Sequence, residues 1–236
     1  MKNIGIVCEG PTDYIILKSV IDTITGEANR YFPLQPEPDV IGRYVNGWKG
    51  VLKWCMDHAA IKKQIMNEVQ PALDLLVIQM DGDVSRKEKP VHCCCDTSVC
   101  PDRESLDPLY CDTTKCPITL PCNRHGVPVA GYIEHLRELI STKLTDTDDT
   151  CIVIPCDSLE AWIVAAYDGL EGVETIESPW ENVIARGPYH GVRIPRGKKR
   201  ARIFEEFAPH VSKNWQQVTR LCQSARDFEQ SILTSV

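Results

Sequence analysis

Short, unbroken apolar runs that end abruptly in acidic residues recur along this chain. The clearest is Asp74-Leu75-Leu76-Val77-Ile78-Gln79-Met80-Asp81-Gly82-Asp83. A run that is apolar on both faces predicts a strand buried on both sides, central in a parallel sheet. Asn3-Ile4-Gly5-Ile6-Val7-Cys8 predicts a first strand, ending at Glu9-Gly10-Pro11-Thr12-Asp13. There Gly10 and Pro11 turn the chain, and Thr12 or Asp13 can cap the helix that follows. Residues 40–45 predict a second strand. Cys151-Ile152-Val153-Ile154-Pro155 predicts another buried one, ending at Cys156-Asp157-Ser158-Leu159-Glu160.

Helical periodicity fills the gaps between these strands. Residues 14–21 are apolar on one face and more. Residues 48–69 predict one helix with Val51, Leu52, Cys55, Ala59, Ile61, Ile65 and Met66 on its inner side. Residues 130–144 and 159–167 predict two more. Strands alternating with helices imply an α/β fold, a mainly parallel sheet flanked by helices and joined by right-handed crossovers. From about residue 174 the pattern is helical, interrupted by one basic loop. Trp215, Val218, Leu221, Cys222, Ala225, Phe228 and Ile232 make one apolar face of a final helix, either core or partner interface. The expected organisation is an α/β domain over 1–173, with an insert at 84–127, and a helical C-terminal extension over 174–236 packed on it.

Composition narrows the class. At 236 residues and 43% apolar content the chain can bury a full core. A net charge of −7 argues against a nonspecific nucleic-acid coat, so any such contact must be local. No apolar run approaches the roughly 20 residues needed to cross a bilayer. The N-terminus reads as a strand rather than a leader. A soluble, cytoplasmic protein is expected. Twelve cysteines are many for a reducing compartment, so clustered ones point to metal.

Such a cluster lies in the insert, where periodicity breaks from residue 84 to 127. His92-Cys93-Cys94-Cys95, Cys100, Cys111, Cys116, Cys122 and His125 fall within 34 residues. Cys95 to Cys100 and Cys111 to Cys116 repeat a Cys-x4-Cys spacing. With Cys122 and His125 these residues are candidate ligands for one or two structural zinc ions. A disulfide-stapled loop is the other reading. Almost no apolar residue is available to fold the segment, so a cross-link of some kind is required. Cys8, Cys55, Cys151 and Cys156 read as small buried residues.

The second local departure is Arg193-Ile194-Pro195-Arg196-Gly197-Lys198-Lys199-Arg200-Ala201-Arg202, six cations in ten residues of an acidic protein. Arg196, Lys198, Lys199 and Arg200 are candidate phosphate-backbone contacts, and one of these cations could stabilise transition-state charge. A solvated helix start or a partner-docking patch would read the same way. His190 could act as an acid or phosphate ligand, although a lone loop histidine is more often neither.

The acidic strand ends carry the chemistry. Glu9, the Asp81/Asp83 pair and Asp157/Glu160 close three separate strands, and ligands of such sheets bind beyond the carboxyl ends. If those strands are neighbours the carboxylates converge. Crowded carboxylates repel, and a hard divalent cation such as Mg²⁺ or Mn²⁺ takes oxygen ligands of this kind. Asp-Gly-Asp taken alone is better explained by a solvated turn, with Gly82 letting the chain turn; the other acidic strand ends tip the balance toward a site. An ordinary helix N-terminal acid is the other reading of Asp157 and, with less force, of Glu160.

Glu9-Gly10 after a first strand and Asp81-Gly82-Asp83 after a later one resemble the Toprim family. The opening Val7-Cys8-Glu9-Gly10-Pro11-Thr12-Asp13 resembles Toprim nucleases of the overcoming-lysogenisation-defect type and of phage-defence loci. Pro155-Cys156-Asp157-Ser158-Leu159-Glu160-Ala161-Trp162 and Gly47-Trp48-Lys49-Gly50 resemble further motifs of small stand-alone members. The likeness covers roughly 1–83 and 128–170; the cysteine insert lies outside it. It implies a metal-dependent nuclease. Glu9 would be general base or ligand, Asp81 and Asp83 would hold Mg²⁺, and Glu160, with Asp157, would complete a second metal site. It also implies DNA or RNA as substrate, an ATPase as protein partner and anti-phage defence as the setting. Two other expectations stand beside it. One is a non-catalytic, zinc-stapled subunit docking on a partner protein. The other is primase-like nucleotidyl transfer, for which the chain is short.

Overall fold

The computed structural model describes residues 1–36, 47–92, 109, 111, 113–120, 130–185 and 187–235. The predicted strand at 40–45 lies outside the described residues. Four strands, β1 (Asn3–Val7), β2 (Arg30–Gln35), β3 (Leu75–Gln79) and β4 (Thr150–Val153), form one sheet in the order β2-β1-β3-β4. Every neighbouring pair is parallel. β3 is buried along its whole length, as its apolar run demands. β2 carries Pro33 and a mostly half-exposed pattern, so no alternation marks it in the sequence; its edge position tolerates the missing amide.

Helices α1 (Pro11–Thr25), α2 (Trp48–His58), α3 (Lys62–Glu68), α4 (Val84–Lys87), α5 (Ala130–Leu144) and α6 (Glu160–Asp168) surround the sheet. They are followed by α7 (Pro179–Ile184), α8 (Ala201–Lys213), α9 (Trp215–Leu221) and α10 (Gln223–Ser235). Strand residues alternate between two cores, as a period of two requires. Ile4, Ile6, Val77, Cys151 and Val153 face α1, α6 and the C-terminal helices. Val7, Leu76, Ile78 and Ile152 face α2 and α5.

The single helix expected over 48–69 is broken. A 3-10 turn at Ala59–Ile61 separates α2 from α3. Past the break the phase slips by one residue, so Ile61 is 43% exposed and Lys62 is 2% exposed. The Lys62 ammonium is held by Asp146 (3.3 Å), Thr150 Oγ1 (3.2 Å) and the Asp148 carbonyl. That anchor, which ties α3 to the entry of β4, overrides the apolar spacing.

The final helix is likewise two, α9 and α10, meeting at Cys222. Its apolar face is core. Trp215 and Phe228 pack on the fully buried Trp162 of α6 at ring distances of 5.4 and 5.7 Å, and the Trp162 indole donates to Ser224 Oγ. The residues after 174 thus share one apolar cluster with α1 and α6. Periodicity also returns earlier than expected inside the 84–127 segment, because Val84, Ser85 and Arg86 of α4 are buried. Among the described residues no helix is long and apolar enough to cross a membrane.

Candidate functional site

Parallel pairing of β1 with β3, and of β3 with β4, sets three strand ends side by side. Glu9 lies just past β1, Asp81 and Asp83 just past β3, and Glu160 opens α6 after β4. The amide of Asp81 donates to Glu9 Oε1 at 2.8 Å. Gln79, fully buried, holds both neighbours in place. Its Nε2 donates to Asp81 Oδ1 (2.8 Å), and its Oε1 accepts the Glu9 amide (3.1 Å). Sequence reasoning misses Gln79, although a polar residue inside a buried apolar run is the available signal.

Gly82 serves a different purpose from the one its sequence suggests. Its φ is not in the left-handed region, so the turn does not require glycine. A Cβ there would lie 2.6 Å from the Pro155 carbonyl and 3.2 Å from the Asp157 amide. The Asp-Gly-Asp segment is pressed against the end of β4, with Gly82 donating to Pro155 O (3.0 Å) and Asp83 donating to Asp157 O (2.9 Å). Glycine is there for close approach.

Two further groups enter the cluster. Asp13, expected as a helix cap, is 7% exposed, and its α-helix has no side-chain cap. Its spacing of four from Glu9, across the strand–helix junction, is the available clue. Lys199, expected as a backbone contact, sends its ammonium to Glu160 Oε1 at 2.6 Å. Glu160 is 1% exposed, and its second oxygen, Oε2, is buried with no hydrogen-bond partner. The Lys199 ammonium also lies 5.8 Å from the Trp180 ring centre, and the Trp180 indole donates to the Gly197 carbonyl (2.9 Å). Trp180 therefore supports the loop that delivers Lys199.

The electrostatics tie these groups together. Burial, then Asp13 and Asp83, push Glu9 up to about 8, against the Asp81 amide that holds it down. Burial and Glu160 push Asp13 up to about 7, partly offset by Lys199. Burial, then Glu9, Asp13 and Glu160, hold Asp81 well above the usual carboxylate range. Burial also raises Asp83, although Lys87 pairs with it at 2.7 Å. Burial pulls Lys199 down, but Glu160, Asp81 and Asp13 outweigh it and leave the ammonium favoured. Burial and mutual repulsion together favour the protonated forms of these carboxyls.

The other expected site residues make different contacts. Asp157 has a left-handed backbone (φ 58°), and both its oxygens are engaged. Oδ1 pairs with the buried Arg86, and Oδ2 accepts the Ser178 amide at 2.8 Å. Its carboxylate is a brace between α4 and the loop before α7. Arg196, Lys198 and Arg200 are exposed beside Lys199. His190 bonds Asp168 at 2.6 Å, at the far end of α6. Of the zinc candidates, Cys111 and Cys116 are partly exposed. Cys95, Cys100, Cys122 and His125 lie outside the described residues.

A hard divalent cation fits the donor chemistry of Glu9, Asp13, Asp81 and Glu160, all oxygen ligands, and the partnerless Glu160 Oε2. Among the described residues, however, no three acidic, His or Cys side chains stand grouped to hold a metal as they are. The cation now inside the cluster is the lysine. No protein-family model, curated protein or solved structure matches the chain.

Proposed function

We propose that this chain is a metal-dependent nuclease of Toprim type that cleaves phosphodiester bonds in DNA or RNA. The observation that carries the reading is the cluster of half-buried Glu9 and Asp81 with buried Asp13 and Glu160, just beyond adjacent strand ends, with Lys199 among them. Glu9, Asp81 and Glu160 would hold Mg²⁺ or Mn²⁺, with Asp13 and Asp83 as further oxygen donors. When bound, such an ion stabilises charge on the attacking and leaving oxygens. Gln79 keeps Glu9 and Asp81 in fixed relation. Lys199 would supply positive charge to the phosphate undergoing cleavage. Arg196, Lys198 and Arg200, exposed on the same loop, would track the phosphate backbone. An ATPase partner, zinc in the cysteine segment and a role in anti-phage defence belong to this reading through the family resemblance alone.

The test is incubation of the purified protein with plasmid, single-stranded DNA and total tRNA, with Mg²⁺ or Mn²⁺. Cleavage that needs the metal and vanishes in Asp81→Ala is expected. Equal cleavage by wild type and variant, or none by either, would remove the proposal. A second reading is supported by the Lys199–Glu160 pair. An internal ammonium can stabilise the acidic rim with no metal, as in a non-catalytic, zinc-stapled subunit that docks on a partner. In that case Asp81→Ala would leave partner capture intact.

A further inference from the structure

The site described above already contains a cation of its own. The Lys199 ammonium stands 2.6 Å from Glu160 Oε1, and it is near enough to Asp81 and Asp13 for both to act on it. Glu160 is almost fully buried, and its other oxygen is buried without a partner. If a divalent ion is held by the cluster, it and the ammonium would compete for one carboxylate. Both cannot hold Glu160 at full strength, since like charges a few ångströms apart repel strongly where water is scarce.

The lysine is also mounted to move. Its side chain is 42% exposed although its tip reaches a carboxylate that is 1% exposed. It belongs to the turn-rich segment between α7 and α8, where Arg196 has a left-handed backbone and Gly197 follows it. That segment is held by the Trp180–Gly197 hydrogen bond and by Val192 and Ile194 packed on the core, not by a strand or a long helix. Withdrawal of the ammonium requires rotation of an unbranched side chain, and no core residue need shift.

We propose that Lys199 is an exchangeable internal counter-ion, which occupies the carboxylate cluster in the metal-free protein and is displaced from Glu160 by the divalent ion. This rests on the metal-site reading above and adds regulation to it. Divalent ions would load only at the expense of the Lys199–Glu160 pair, so the metal-free site keeps part of its negative charge offset. The displaced ammonium becomes available to an anionic substrate once the metal is in place. Loading of the metal and presentation of the lysine are then one event.

The experiment is a Mn²⁺ titration of chelator-stripped full-length protein, followed by the electron-paramagnetic resonance of free Mn²⁺. Wild type, Lys199→Met and Asp81→Ala are compared. Methionine keeps the stem and removes the competing charge. Its Mn²⁺ affinity is expected to rise about tenfold, the change that about 1.4 kcal/mol of lost competition gives. Asp81→Ala should bind poorly. As a second measurement on unmodified wild type, lysine-directed acylation read by mass spectrometry should label Lys199 several-fold faster with Mn²⁺ than without, while Lys53 and Lys63 stay constant. Unchanged or weaker Mn²⁺ binding in Lys199→Met, with wild type still binding through Asp81, would overturn the exchange and leave the metal site standing. So would Mn²⁺-independent labelling of Lys199. No Mn²⁺ binding by any form would remove both.

Discussion

Replacing Asp157 with Ala tests whether its carboxylate is a brace or a metal ligand. The Arg86 and Asp157 side chains are 6% and 7% exposed, so this is a desolvated ion pair. Truncation removes the Arg86 partner and orphans the Ser178 amide, which now donates to Oδ2 at 2.8 Å. Arg86 keeps a 3.2 Å contact with Glu177, but that side chain is 73% exposed and compensates weakly. Breaking one side of a buried pair costs about 3–5 kcal/mol because the remaining charge is stranded. An unsatisfied amide costs about 1–3 kcal/mol, part of which overlaps with that figure. A loss of about 4 kcal/mol follows. For a chain of this length each kcal/mol lowers Tm by about 2–4 °C, so a fall on the order of 10 °C is expected. Removing both charges, as Arg86→Met with Asp157→Leu, should recover much of the loss. Urea unfolding followed by tryptophan fluorescence measures all three proteins, with a Mn²⁺ titration of each alongside. A wild-type midpoint for Asp157→Ala together with lost Mn²⁺ binding would refute the brace and make Asp157 a ligand. A double variant no more stable than Asp157→Ala would refute the charge argument.

Four other outcomes are expected. Gly82→Ala forces a Cβ against the Pro155 carbonyl, a backbone atom that cannot swing away; a cost of about 3 kcal/mol, at the upper end for overpacking, and loss of Mn²⁺ binding should appear in denaturation and titration, and wild-type values in both would show that the two strand ends can part. In chelator, thermal stability should fall as pH rises from about 5 to 8.5, and Mg²⁺ should flatten the fall. Glu9 and Asp13 move from ordinary values of 4.5 and 3.8 to about 8 and 7 on folding, so their protonated forms favour the fold below pH 4 and that contribution is lost through pH 7 to 8; a Tm that rises over this range would count against the cluster. Lys62→Met should cost about 2 kcal/mol by removing the donor to Asp146, Asp148 and Thr150, whereas Lys63→Met, whose side chain is 69% exposed, should stay within about 0.5 kcal/mol; equal unfolding midpoints would sink the anchor assignment. Replacing Arg196, Lys198 and Arg200 together with Ala should lower the salt slope of nucleic-acid binding by roughly one counterion for each phosphate no longer neutralised, without changing stability, and an unchanged slope would move these cations to another partner.

Much of the architecture is readable because it depends on local periodicity. The apolar runs of β1, β3 and β4 and the helical stripes of α1, α5 and α6 sit within a residue or a few of where the pattern places them. What cannot be read depends on partners distant in sequence. β2 pairs as a half-exposed edge, so its side chains carry no alternation, and only its register against β1 makes it a strand. The break between α2 and α3 is set by Lys62 reaching residues 146–150, more than eighty positions away.

The acidic groups and the lysine of the candidate site separate along the same line. Strand ends are sequence-local, so carboxylates that close apolar runs announce themselves; Glu9 and Asp81 need only parallel pairing to become neighbours, and Glu160 joins them through the turn that leads from β4 into α6. Asp13 hides because an acid in a first helical turn already has an ordinary explanation. Lys199 hides more deeply. In the sequence it is one of six cations in a loop, and nothing in its own neighbourhood distinguishes it from Lys198 or Arg200. What distinguishes it is a direction. Trp180, nearly twenty residues earlier, fixes the loop through Gly197, and the next-but-one residue then faces Glu160. Adjacent charges in an extended segment point to opposite sides, so placing Lys199 inward forces Lys198 and Arg200 outward. One loop thereby divides its cations between the buried cluster and the solvent. Swapping Lys198 and Lys199 for Met one at a time should affect different observables, Mn²⁺ affinity for the inner residue and salt-dependent nucleic-acid binding for the outer one.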